Sequence, residues 1–281
     1  MRRLCARGGG LLGALLLALC GSAGAEVQAT AAYREAFGAP PASEGVACRA
    51  AVVFLPGVGR TGREDRLAPV PLFSVTPDKT LEEAARVLVE GHPVEPRFLT
   101  IPRLFPPGTS LAALELADGL ATVRLGRGLP GDAHPLAGQA LAHTLTQFAE
   151  VERVRVQGGS APPGEPLRPD PAVLEAPASP RLLDVVASAH AGEPPEEVDV
   201  LFDRPVEVVQ VEARRPGEGP LAGRWYTSMF DMAAVLRPED PSVLREGMTL
   251  QVTWAVRDRK GREARGSREV SLRFYVHPEP R

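Results

Sequence analysis

Apolar and polar residues segregate along this chain with two different periods. Leu81, Ala84, Ala85 and Leu88 recur at helical spacing, and Thr80 and Glu83 stand at the distance of a capping box. A helix is therefore predicted from Thr80, ended by Gly91 and Pro93. A second helix is predicted between Ala137 and Glu150. Ala137, Ala140, Leu141, Thr144, Leu145 and Phe148 share one side of it, while Gln139, His143, Thr146, Gln147 and Glu150 share the other. On this spacing His143 lies in a polar stripe facing water, outside any apolar pocket that would tune it for catalysis.

Elsewhere the period is two. "ACRAAVVFLP" (47–56) is a short apolar run with β-branched residues and predicts a buried strand. Asp118-Gly119 is a favoured two-residue hairpin turn, and it sets Leu116 opposite Ala121, Leu114 opposite Val123 and Ala112 opposite Leu125. Glu115, Thr122 and Arg124 fall on the other face of that ribbon. Val154 and Val156 then alternate with Arg153, Arg155 and Gln157, as in a strand wet on one side. Two amphipathic helices can cover one face of the sheet. Arg124, Arg153 and Arg155 mark the other, left for solvent or for a partner. After residue 180 the alternation is of strands alone: 196–202, 206–215, then Leu250, Val252, Trp254 and Val256, then Val270, Leu272, Phe274 and Val276. That pattern predicts an antiparallel sandwich.

Composition divides the chain further. Arg2, Arg3 and Arg7, the apolar stretch Leu11 to Leu19 and the small residues Ala23-Gly24-Ala25 have the layout of a secretory signal peptide over residues 1–25, so the protein is expected outside the cytoplasm. Cys20 also sits where an acylated lipoprotein cysteine would, although Leu19 is bulky for that processing. Soluble export and lipid anchoring through Cys20 both stay open, with cleavage after Ala25 favoured. Residues 26–45, rich in Ala, Pro, Gly and Ser, read as a tether. Residues 161–180 hold seven prolines and read as an extended linker. The expected domains are thus Val46–Ser160 and Arg181–Pro278.

Charge and chemistry exclude several functions. The net charge is −3, and more negative without the three leader arginines, which argues against nucleic-acid binding. Cys48 alone remains after the leader, so no intrachain disulfide is expected, and a buried apolar role suits it better than a nucleophilic one. His190 and His277 lack a second ligand at metal spacing, and no cofactor motif, nucleophile elbow or phosphate loop is present. No catalytic, cofactor-binding or metal residue is assigned, and no small-molecule substrate is evident. Arg257, Arg259, Lys260, Arg262, Arg265 and Arg268 crowd one hairpin. They read first as a solvated loop guarding a strand edge and second as a dock for anionic lipid or wall polymer.

One resemblance is carried by ordered blocks: "LEEAARVLVEGHPVEPRF", "PPGTSLAALELADGLATVRLG" and "TLTQFAEVERVRVQGG". In this order they resemble the GerMN domain of sporulation and spore-germination proteins, over roughly residues 50–160. Gly91-His92-Pro93 departs from that pattern by delaying the proline one residue. The resemblance implies an α+β chain: a small two-layer α/β domain of ring-building type, then an all-β immunoglobulin-like sandwich, to whose last strands residues 244–266 are similar. It also implies a non-catalytic, extracytoplasmic scaffold with an envelope protein as partner, in spore formation or germination. The alternative is a general cell-envelope module binding anionic lipid, wall polymer or peptidoglycan in a bacterium that does not sporulate.

Overall fold

In this computed structural model the described residues are 27–42, 45–57, 65–91, 103–127, 133–158, 163–189 and 193–276. The leader with Cys20, and also His92, Pro93, Ser160, His190 and His277, lie outside them.

The first sheet is built on β2 (Arg49–Pro56), which pairs antiparallel with β3 (Leu67–Ser74) and, on its other edge, parallel with the short β1 (Gln28–Ala29). Every residue of β2 from Ala50 to Val53 is fully buried, because both faces of the strand are covered. Ala51, Val53 and Leu55 join the core formed with α2 (Thr80–Glu90) and α3 (Ala137–Leu145). Cys48, Ala50 and Val52 pack instead under Tyr33 and Phe37 of α1 (Ala31–Phe37).

The stretch expected to be a tether is therefore structured from Val27 to Phe37. Thr30 caps α1 by accepting a hydrogen bond from the Tyr33 amide, and Ala29, Ala32, Tyr33, Ala36 and Phe37 form an apolar stripe against β2. Small residues made that stripe look like linker composition. A continuous apolar strand needs a lid on each face, and α1 is the second lid.

The second sheet comprises β4 (Ser110–Ala117), β5 (Leu120–Arg127) and β6 (Arg153–Gly158), with β4–β5 antiparallel and β5–β6 parallel. Asp118 and Gly119 adopt φ of 49° and 72°, the left-handed pair expected of the turn. Leu116–Ala121 and Leu114–Val123 pair as predicted, but a bulge at Ala112 puts buried Leu111 opposite Leu125. Ala121, Val123, Leu125 and Val154 face the same core as β2, so α2 and α3 are shared between two three-stranded sheets rather than covering one. The capping box at α2 does not form. The Thr80 hydroxyl donates to the Pro77 carbonyl, and a single 3-10 turn, Pro77–Lys79, leads into the helix.

The proline-rich segment is extended but not free. Leu167 bridges to Val154 by two backbone hydrogen bonds, Leu174 bridges to Leu67, and the single turn Pro171–Val173 is capped by Asp170. Prolines suit such a strap, since they offer acceptors and leave few donors to satisfy.

Beyond it, β7 (Leu182–Ala189), β8 (Glu197–Phe202), β10 (Gly223–Thr227), β11 (Ala233–Pro238) and β14 (Arg273–Val276) form a five-stranded sheet in the order β10-β11-β8-β7-β14. The facing sheet is β13-β12-β9, from β9 (Val206–Arg214), β12 (Thr249–Asp258) and β13 (Glu263–Ser271). Val200, Phe202, Leu236, Leu250, Val252 and Leu272 are among the residues sealed between them. The alternating run Val270–Val276 is two strands, not one: after Leu272 the chain changes sheet, and β14 pairs parallel with β7. Every other pairing in the sandwich is antiparallel.

The sandwich grips α1. The Arg204 guanidinium lies 5.8 Å from the Phe37 ring centre, Lys260 donates to the Glu35 carbonyl at 2.6 Å, and Arg262 donates to the Ala36 carbonyl at 2.9 Å. These cations satisfy carbonyls that the last turn of a helix leaves without partners. Nearby, Phe230 stacks on Phe73 with ring centres 4.2 Å apart. Phe230 and Asp231 have φ of 61° and 55°, left-handed values that cost a non-glycine residue free energy.

Candidate functional site

Where α1, α3, the strap and the sandwich meet, they line a half-open cavity of about 490 Å³. Ala32 and Ala36 come from α1, Phe54 and Pro69 from the first sheet, and Leu174, Pro177 and Ala178 from the strap. Its polar lining includes Glu35, His143, Gln147, Glu175, Arg181, Arg204, Lys260 and Arg262.

His143 is thus not on an open wet face, as its helical position suggested. The strap crosses the polar stripe of α3 and roofs it. His143 Nε2 lies 2.9 Å from the Asp170 carbonyl, and its ring packs against Phe54 with centres 5.2 Å apart. A carbonyl can only accept, so Nε2 carries the proton in this contact. Gln139 clamps the same strap, donating to the Arg168 carbonyl and accepting from the Asp170 amide.

Gln147 does different work. Its side-chain oxygen accepts from the Val52 amide at 2.9 Å and the Thr30 hydroxyl at 2.8 Å, and its amide donates to the Val52 carbonyl at 2.7 Å. The Thr144 hydroxyl accepts from the Phe54 amide at 3.0 Å. Beyond the two residues of β1, the edge of β2 has no neighbouring strand among the described residues, and these side chains take its place. The polar cluster that sequence places outside is therefore structural, and partly inside.

One wall of the cavity rests on a buried ion network. Asp203, with no exposed surface, accepts from Arg204 through both oxygens at 3.0 Å and from Arg181 Nε at 2.8 Å. Arg181 also pairs with Glu175 at 3.2 Å, and Asp258 pairs with Arg262 at 2.6 Å and with Arg204 at 3.5 Å. The three segments involved, 175–181, 203–204 and 258–262, lie far apart in sequence, and only the folded sandwich and strap bring them together.

The hairpin cations predicted to form an anionic-surface loop are mostly engaged within the protein. Arg257 pairs with Glu263, Arg259 with Asp231, and Arg262 with Asp258. Lys260 and Arg262 hold α1, and Arg268 donates to the Leu183 carbonyl. Arg265 is largely solvated, its side chain 81% exposed and 3.8 Å from Glu263.

Arg124, Arg153 and Arg155 do share the outer face of β4–β5–β6, since Leu120 registers with Arg153, Thr122 with Arg155 and Arg124 with Gln157. Arg124 is neutralised by Glu115. Arg153 and Arg155 each keep a water-shielded Nε group with no hydrogen-bond partner among the described residues.

Cys48 is buried, and burial pushes its thiol up to about 11, with Glu83 adding to the shift. Burial also raises the Tyr33 phenol, whose hydroxyl has no hydrogen-bond partner among the described residues. Among those residues no three His, Cys, Asp or Glu side chains cluster as a metal site, and no helix is long and apolar enough to cross a membrane.

Three solved structures are similar in part. The first GerMN domain of the sporulation protein GerM from Bacillus subtilis aligns at 21% identity and a TM-score of 0.31, covering 46% of this chain and 92% of that one. The tandem GerMN domains of the same protein align at 18% identity and a TM-score of 0.32, covering 66% of this chain and 58% of that one. CopC from Methylosinus trichosporium OB3b aligns at 17% identity and a TM-score of 0.24, covering 34% of this chain and 96% of that one. At these scores the three carry no functional weight. No curated protein matches the chain. Residues 53–162, however, match the model of the Germane family, described as sporulation and spore germination, and in the structure an all-β sandwich follows that segment.

Proposed function

We propose that this protein is a non-catalytic, extracytoplasmic assembly scaffold acting in spore formation or germination. In this reading the outer face of β4–β5–β6 docks an acidic surface of a cell-envelope protein. The carrying observation is that Arg124, Arg153 and Arg155 share a sheet face that neither α2 nor α3 covers, and that only Arg124 among them pairs with a carboxylate among the described residues. A guanidinium in that state gains most from a carboxylate that can accept in its plane. The Germane description supplies the biological setting, and the structural employment of the α3 polar groups supports a role without turnover. The sandwich would hold the first unit in a defined pose through its grip on α1.

The test is charge reversal. The double variant Arg153→Glu and Arg155→Glu should reduce co-purification of the crosslinked envelope partner at least tenfold, with the melting curve kept. Unchanged recovery of the same partner would overturn the assignment of this face.

A further inference from the structure

We propose that the cavity between α1, the strap and the sandwich binds a small zwitterion with an apolar body, of the α-amino-acid type. Its ammonium would face Glu35, its carboxylate Lys260, and its side chain Ala32, Phe54, Pro69 and Leu174. The volume of about 490 Å³ falls in the range of small-molecule sites, which share an apolar body and a few convergent polar groups.

Most of the polar lining is engaged within the protein. Gln147 is bonded to Val52 and Thr30, and His143 to the Asp170 carbonyl. Arg181 and Arg204 are paired with Asp203, and Arg262 with Asp258. Two groups of opposite sign remain. The Lys260 ammonium donates to the Glu35 carbonyl and pairs with no carboxylate among the described residues. An ammonium has three donors, so two are left for a ligand. The Glu35 carboxylate is exposed and makes no ion pair among the described residues either. Helical spacing sets Ala32, Glu35 and Ala36 on one face of α1, the face that lines the cavity. Because Lys260 is anchored on the main chain of Glu35 itself, only the length of that glutamate side chain separates the two charges.

A head of one sign answers one of these groups and lies beside its like. Glu175 weighs on the negative side: one oxygen pairs with Arg181, and the other is shielded from water and has no partner among the described residues. A ligand meets that oxygen through its field and not by contact. With Asp203 and Asp258 behind the wall, the four cations of the lining are matched by four carboxylates, so the site is neutral as a whole. A neutral site with one unpaired charge of each sign is complementary to a ligand that carries both signs close together. An α-amino acid holds ammonium and carboxylate on one carbon. The wall of Ala, Phe, Pro and Leu offers a polar side chain no partner, so the body of the ligand is apolar.

The experiment is calorimetric titration of the full-length protein with leucine. Isocaproate and isopentylammonium, which keep its aliphatic body and one charge each, are the comparisons, with glycine as the head alone. Saturable one-to-one binding of leucine is expected. Each single-charge analogue should bind about fivefold more weakly, the upper end for an exposed ion pair. Glycine, with no body to bury, should bind weaker than leucine by about tenfold or more. Lys260→Gln should weaken leucine about fivefold without weakening isopentylammonium, and Glu35→Gln should weaken leucine about fivefold without weakening isocaproate. Both positions are exposed, so neither substitution threatens folding. No saturable binding of leucine, an analogue or glycine that binds as tightly as leucine, or leucine affinity indifferent to either substitution would each overturn the proposal.

Discussion

Replacing Gln147 by leucine keeps its bulk and removes its hydrogen bonds. In the folded protein Gln147 stands in for a strand at the edge of β2, bonding both the amide and the carbonyl of Val52, a residue with no exposed surface. Leucine leaves both backbone groups without partners. A buried group stripped of its partner costs about 1–3 kcal/mol. The Thr30 hydroxyl can turn elsewhere and is left out of the sum. Water in the adjoining cavity can reach part of the gap, which favours the lower end, so the expected loss is about 2–4 kcal/mol. For a protein of this size that corresponds to a fall in Tm of roughly 5–15 °C. The control is its neighbour: the Thr146 hydroxyl, just past the end of α3, donates back to the Ala142 carbonyl, and Thr146→Ala should change stability by no more than ~0.5 kcal/mol. Urea denaturation followed by circular dichroism measures both. Losses for the two variants that agree within ~0.5 kcal/mol would refute the edge-strand role.

Other outcomes follow from the same contacts. Asp203→Asn takes a fully buried charge from between Arg181 and Arg204 and should cost about 3–5 kcal/mol in the same denaturation experiment. Gly266 lies opposite Trp254, and a β-carbon there would come within 2.6 Å of the indole. Gly266→Val should therefore cost about 1–3 kcal/mol and shift the tryptophan emission. Cys48 should resist thiol reagents at pH 8 until the protein unfolds. Because its folded thiol, at about 11, holds the proton more tightly than an ordinary thiol, that contribution to stability is complete below about pH 9 and is lost as pH rises through about 11. Denaturation midpoints of the parent and Cys48→Ala should accordingly converge in alkali.

Local rules made much of the fold legible. Turn chemistry at Asp118-Gly119 placed the hairpin and its nearest pairs, alternation located β12, and 3.6-residue spacing located α2 and α3. The bulge at Ala112 escaped because alternation cannot report an extra residue that is itself small and apolar. Helix α1 escaped for a related reason: alanine serves both tethers and tightly packed helix faces. The spacing Ala29, Ala32, Tyr33, Ala36, Phe37 behind the cap at Thr30 was the available signal. The candidate site was the least legible part. Position on a helix showed that His143, Thr146 and Gln147 share a polar stripe. What covers a stripe depends on contacts between segments distant in sequence, here Asp170 over His143 and Val52 beside Gln147. The arginine face of β6 was readable because a strand's two sides are fixed by its own alternation.

The central claim, that the chain works by docking a partner on this face, is tested most directly by site-specific photocrosslinking in cells of the source organism. A photoreactive residue at Arg155 should yield one dominant adduct with an acidic envelope protein, and the same residue at exposed Val209 on the sandwich should not. Equal adducts from both positions, or none from Arg155 while the protein is folded and in place, would contradict the account.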